Sequence, residues 1–315
     1  MISILLFTME IIAPIFLLIL LGSALQKTNL VSETFVKQSS NFVFNVSLPA
    51  LIFVKLSNVA ISEAFDAKLI VSSMLLVIVY FLFSWGVSSF LTKTPEDQGS
   101  FIQGSFRSNY AIVGLAIISG MFGEESLGKA ALLLAFIMPM YNILAVVALT
   151  VPFHKENNIK LDKMLKDILT NPLIVAAMVS ILFSIFEIRV WTFFEKTMNY
   201  LGIIALPLAL IGIGATLKVD RIIKASTLAF TSSFLKIVLF PLAAVLIGLS
   251  INLSDSDLGI FFILFATPTA IASFVMADAM KCNSKLAGDI IAISTVLSVF
   301  TITIGLVVLK YFGYV

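Results

Sequence analysis

The stretches NYAIVGLAIISGM (Asn109–Met121) and PTAIASFVMADAM (Pro268–Met280) stand 159 positions apart and align without a gap. Each opens on a polar or helix-breaking residue inside an otherwise apolar string. Pro14 and Pro172 are 158 positions apart, and so are Pro49 and Pro207 within LPALI (Leu48–Ile52) and LPLAL (Leu206–Leu210). Matches among apolar residues arise easily by chance, but coincident prolines in the same succession of apolar runs do not. The chain therefore reads as two related halves.

Apolar runs of about 20 residues, the length that crosses a ~30 Å hydrocarbon core, are centred near Phe16, Val46, Val77, Val113, Ile143, Val179, Ala209, Ile237, Thr267 and Val299. These are ten spans, five in each half. None alternates in the manner of a barrel strand, and backbone groups in lipid must bond within their own segment, so all are expected to be helices. Five is odd, so the second half enters the membrane from the opposite side. The expected fold is an all-α membrane protein of about ten transmembrane helices in two inverted five-helix repeats. Its parts are residues 1–153 as the first repeat, 154–167 as a linker and 168–315 as the second repeat. Along the linker and into its junction with the second repeat, Leu161, Met164, Leu165 and Ile168 recur at helical spacing with lysines between them, which predicts a short helix on the cytoplasmic interface.

Composition agrees and narrows the function. The 315 residues are 60% hydrophobic and 12% charged, against roughly half and a quarter in soluble domains. Lys and Arg are scattered singly and the net charge is +2, so no nucleic-acid face exists. One cysteine, Cys282, and one histidine, His154, leave no disulfide and no His/Cys metal cluster to assemble. There is no G-x-x-x-x-G-K-[ST] string for ATP, and GIGATL (Gly212–Leu217) sits inside a span rather than in a βαβ unit. The first run, Ile4 to Leu25, has no basic residue before it and reads as a retained helix rather than a signal peptide. The odd-numbered loops hold twelve Lys and Arg and the even loops with the carboxy terminus hold six, which places the odd loops in the cytoplasm and both termini outside.

Chemistry is expected where spans four and nine are least regular. If span four starts near Gly99, Asn109 lies ~15 Å deep, close to the midplane, and Pro268 reaches a similar depth in span nine. Both segments are dense in small and polar residues, Ser105, Arg107, Ser108, Asn109 and Gly114 in one and Thr267, Pro268, Thr269 and Ser273 in the other. A helix unwound at this depth must line a cavity, and it leaves a half-helix amino end carrying about half a positive charge. Two such ends attract an anion, and an Asn amide donates to a carboxylate without adding a full buried charge. Ionisable residues inside spans are costly and informative. Lys236, ten residues into span eight, either offsets the carboxyl ends of broken helices or pairs with a carboxylate such as Asp278; Asp289 lies early in span ten.

At these residues the sequence resembles the auxin efflux carrier family, which includes plant auxin exporters and bacterial permeases for malate, malonate and similar acids. The strings that carry the resemblance are NFVFNVSLPALIF (Asn41–Phe53), GSFRSNYAIVGLAI (Gly104–Ile117), NPLIVA (Asn171–Ala176), LPLALIGIGATL (Leu206–Leu217) and TPTAIASFVMADAM (Thr267–Met280). The resemblance implies broken, crossing helices four and nine in a mobile unit, a scaffold of helices one, two, six and seven, dimerisation, and elevator-like movement. It puts the family's carboxylate-binding asparagine on Asn109 and its crossing-point proline on Pro268. Asn45 and Ser47, in the first of these strings, join Arg107, Ser108 and Thr269 as candidate binding residues. Helix four departs from the family pattern, with Ala116 where a proline is common and Ser108 where plant members have one.

These readings predict a secondary carrier for a small organic anion, with no cofactor and with the anion gradient, the membrane potential or a coupled proton or sodium ion as driving force. A sodium/proton antiporter is the alternative from the same architecture, although such antiporters place paired carboxylates at the crossing. A membrane-embedded enzyme or a receptor lacks, respectively, an intramembrane His, Cys or Asp pair and an extramembrane domain.

Overall fold

Proline and capping residues decide where these apolar runs bend and begin. The structure is a computed structural model that describes residues 2–57, 65–153, 170, 172–216 and 225–314; the expected linker helix at 154–167 lies outside the described residues. Helix α1 (Ile2–Lys27) is followed by α2 (Glu33–Phe42), which runs through a π turn (Val43–Ser47) into α3 (Leu48–Ser57). Next come α4 (Ala67–Leu91) and α5 (Pro95–Phe106). A second π turn (Tyr110–Gly114) then opens α6 (Leu115–Thr150), which bends sharply at Gly123, where φ is +76°. The second half holds α7 (Pro172–Ile185), α8 (Thr192–Ile203), α9 (Ala205–Thr216) and α10 (Thr227–Phe234). A third π turn (Leu235–Leu239) leads into α11 (Phe240–Ser250), and α12 (Asp255–Ala266), α13 (Ala272–Ala279) and α14 (Ser284–Tyr311) complete the chain. Nine of the ten expected span centres fall in helical segments, and the tenth, Thr267, falls on a break.

Among the described residues, six helical stretches are long and apolar enough to cross a bilayer: Glu33–Ser57, Ala67–Leu91, Ser126–Thr150, Thr192–Thr216, Thr227–Ser250 and Ser284–Tyr311. Their side chains are arranged for lipid rather than water. In α4 the residues turned inward include Ser73, Ser84 and Ser88, whereas Val71, Leu75, Val79, Leu82 and Phe83 are exposed. A soluble helix would reverse that pattern. In a bilayer the exposed aliphatic face costs nothing, and small hydroxyl residues bring helices together.

Two of the π turns have a local cause. Proline has no N–H and collides with the carbonyl four residues earlier. Four residues before Pro49 is Asn45, and four before Pro241 is Ile237, and each lies inside a π turn. Widening the turn there absorbs the clash without stopping the helix. Helix starts are marked by capping: Ser32, Asp66, Thr94, Ser226, Ser254 and Asn283 each accept a hydrogen bond from the backbone N–H three residues on.

Helices α1 and α9 cross with their backbones in close approach. A Cβ placed on Gly214 would lie 1.7 Å from the Ile19 carbonyl oxygen, and one on Gly22 would lie 2.1 Å from that of Ile211. Both glycines are needed for backbones to approach this closely, which gives GIGATL a packing role.

Candidate functional site

Two helices stop inside the protein and their broken ends meet. Helix α5 ends at Phe106, and Arg107 turns to an extended conformation (φ −81°, ψ 123°). Helix α12 ends at Ala266, and Thr267 is likewise extended (φ −62°, ψ 147°). Thr267 has a direct cause: the residue before a proline is driven out of the helical region. Arg107 precedes no proline. Its segment is held open instead by the other one, through an antiparallel bridge between Ser108 and Thr269 and a 2.8 Å hydrogen bond from the Asn109 N–H to the Pro268 carbonyl. Further bonds pin the crossing, since Thr269 Oγ1 donates to the Gly104 carbonyl at 2.6 Å and the Thr269 N–H donates to Ser294 Oγ at 3.1 Å.

Two buried cations flank this crossing. Lys236, 1% exposed, donates from Nζ to Ser108 Oγ and to the Phe265 carbonyl, both at 2.6 Å. Arg107, 4% exposed, donates from Nη2 to Asn142 Oδ1 at 2.8 Å. With the Gln103 amide turned so that its oxygen faces the guanidinium, Arg107 Nη1 donates to it at 3.1 Å and the Gln103 nitrogen reaches the Ser273 carbonyl at 3.2 Å. Met276 packs its sulfur against the same guanidinium nitrogen. Neither cation forms an ion pair with a described carboxylate. Lys129 and Asp257, which do pair at 3.1 Å, lie away from the crossing near the start of α12.

Asn109 lies in the same broken segment as Arg107 and Ser108, and Ser108 bonds Lys236. It caps the second π turn, yet its carboxamide makes no hydrogen bond to any described residue while the side chain is only 7% exposed. Its amide is therefore free to donate to and accept from a ligand without first giving up a bond within the protein. Beside it, the Tyr141 hydroxyl faces Ser108 and Arg107 without hydrogen-bonding geometry to either. The first N–H groups of the helices leaving the break have no intrahelical acceptors and add fixed positive ends.

The structure thus brings together Arg107, Ser108, Asn109, Pro268, Thr269 and Lys236. It does not bring Asn45, Ser47 or Asp278 to them. Asn45 is exposed and donates to Asn41 Oδ1 at 2.6 Å. Ser47 is buried in the first π turn with an unbonded hydroxyl. Asp278 is exposed on α13 and makes no ion pair with Lys236; of the two partners considered for that lysine, the geometry selects the helix end. Sequence reasoning missed Gln103, Tyr141, Asn142 and Ser294. A lone amide in the apolar run around Ile143, and the hydroxyl-rich string Ser294, Thr295 and Ser298 in α14, were the available signals.

A family model described as membrane transport protein matches residues 7–306, nearly the whole chain. The chain belongs to that membrane transport family, the family of the auxin efflux carriers. Among its relatives is an uncharacterized transporter of Methanocaldococcus jannaschii, 22% identical over 306 residues that cover 94% of this chain and 97% of that one. The uncharacterized transporter YfdV of Escherichia coli is 23% identical over 288 residues, 89% of this chain and 91% of its own. Membership of a transport family, rather than of an enzyme class, agrees with helices that cross a bilayer.

Proposed function

We propose that this member of the membrane transport family is a secondary carrier for a small organic anion bearing a carboxylate, bound at the crossing of the two broken helices. The observation that carries the reading is Asn109: a carboxamide with no hydrogen-bond partner among the described residues, at a crossing that also holds Arg107 and Lys236, two buried cations that no described carboxylate neutralises. Such a cluster of positive charge repels a cation and rewards an anion that brings acceptor oxygens. An antiporter's paired carboxylates have no counterpart among the described residues at this crossing.

The proposal extends to the architecture. Glu33–Ser57 and Thr192–Thr216 share an offset of 159 at both ends, and α5 and α12 share one of 160. These offsets support two inverted five-helix repeats, residues 1–153 and 168–315, joined by a linker at 154–167. Transport is elevator-like, the crossing unit moving against a scaffold that includes the tight α1–α9 pair. The carrier works as a homodimer in the cell membrane with both termini extracytoplasmic.

The test is a thermal-shift titration of purified protein with a panel of mono- and dicarboxylates. At least one should raise the midpoint saturably. Asn109→Ala should weaken that ligand about ten- to a hundred-fold, the effect of losing a charge-assisted hydrogen bond of roughly 1.5–3 kcal/mol. A folded Asn109→Ala variant that binds as the wild type does would remove this assignment.

A further inference from the structure

The place Lys236 occupies is built from parts that ordinarily hold a metal cation. In a continuous helix the Phe265 carbonyl would accept from the N–H of Thr269, four residues on. Here that N–H is diverted to Ser294 Oγ, and the Leu264 carbonyl before it faces Pro268, which has no N–H to give. Phe265 therefore presents a free carbonyl at the negative end of α12. Opposite it, the break after α5 supplies Ser108 Oγ. A released helix-end carbonyl and a hydroxyl, one from each broken segment, are the kind of oxygen donors that coordinate coupling sodium ions in carriers with interrupted helices. The Lys236 ammonium sits between them with two bonds of 2.6 Å and no carboxylate partner among the described residues. The third π turn, widened before Pro241, carries the lysine at this position.

We infer that Lys236 is a tethered cation filling an alkali-ion site at the crossing, so that this protein binds and moves its anion without a coupling sodium or potassium ion. A covalently held ammonium supplies the positive charge that a coupling ion would otherwise bring, and it supplies it in every state of the cycle. This extends the carrier reading, but its test uses no organic anion, so failure here and failure of carboxylate binding are separate results.

The experiment measures the thermal midpoint of the purified full-length protein in choline, sodium, potassium and methylammonium chlorides at equal ionic strength. The wild-type midpoint should be the same in all four. Lys236→Ala opens the site and should melt lower in choline, with about 3 to 5 °C regained saturably in methylammonium or sodium as the small cation takes the ammonium's place. Lys236→Met fills the space with an apolar chain and should stay low in every salt. Ser108→Ala combined with Lys236→Ala should lose most of the regained shift. A wild-type midpoint that depends on sodium or potassium would overturn the inference, and so would a Lys236→Ala protein indifferent to all three small cations. If the alanine variant cannot be recovered, the wild-type comparison alone decides in the same two directions.

Discussion

At the scale of single residues, the crossing is organised by shape as much as by charge. Lys236 bonds a point ammonium to two oxygens, whereas Arg107 spreads a planar guanidinium over Asn142 and Gln103. That difference is testable, because a lysine cannot reproduce a fork that bonds in two directions. Arg107→Lys should bind the carboxylate found by titration at least about ten-fold more weakly than the wild type, on the scale of one lost charged hydrogen bond. Arg107→Lys binding with wild-type affinity would show that charge alone suffices. Asn109, Arg107 and Lys236 were legible in the sequence because each is a polar residue deep in an apolar run. Lys236's partner was not, since a free backbone carbonyl leaves no mark in the one-letter code. Asp278 was the visible carboxylate, and it faces outward.

At the scale of elements, Pro268 and the glycines carry the argument. One proline breaks two helices: it forces Thr267 out of helical geometry, and the extended strand so made gives Ser108 and Asn109 something to pair with. The break in helix four therefore needs no proline of its own, and Ala116 and Ser108 at the family's proline positions do not restore a continuous helix. The sequence showed where the departure from the family pattern lay but not its compensation, because the bridge joins positions 161 apart. The glycines separate packing from propensity. Gly214→Ala drives a methyl into the Ile19 carbonyl and should cost on the order of 3 kcal/mol or more as α1 and α9 are pushed apart. Gly86→Ala on α4 meets nothing within 4 Å and should be neutral or stabilising by up to about 1 kcal/mol. Thermal midpoints of the two variants check both signs, and equal effects would show that the close crossing does not hold α1 and α9 together.

At the scale of the whole molecule, the ends of the broken helices are tied to the last helix of the opposite half. Near the start of α5, Asp97 accepts from Asn283 Nδ2 at 2.6 Å, at the cap of α14; near the start of α12, Asp257 accepts from Lys129 on α6 at 3.1 Å. Each tether crosses between halves, so the crossing helices and the two closing helices are linked at both of their outer ends. Hydropathy alone could reveal the spans, since a bilayer demands apolar length, but tethers between residues more than 120 positions apart are invisible to any local pattern. Orientation rests on a weaker statistic, the excess of Lys and Arg in the odd loops, and gives the last prediction. If those loops are cytoplasmic, the two turns that hold Lys93 and Lys281 face the cytoplasm and the carboxy terminus faces outside. Single-cysteine variants at Lys93 and Gly313, made in a Cys282→Ser background, can be probed in intact cells with a membrane-impermeant thiol reagent. The wild-type protein is the control and should label little, because burial, helped by the Glu96 carboxylate, pushes the Cys282 thiol up to about 12 and leaves almost no thiolate at neutral pH. Position 313 should label in whole cells and position 93 only after permeabilisation. Labelling at 93 with protection at 313 would invert the orientation, leaving the crossing chemistry unchanged but exchanging the sides from which the anion enters and leaves.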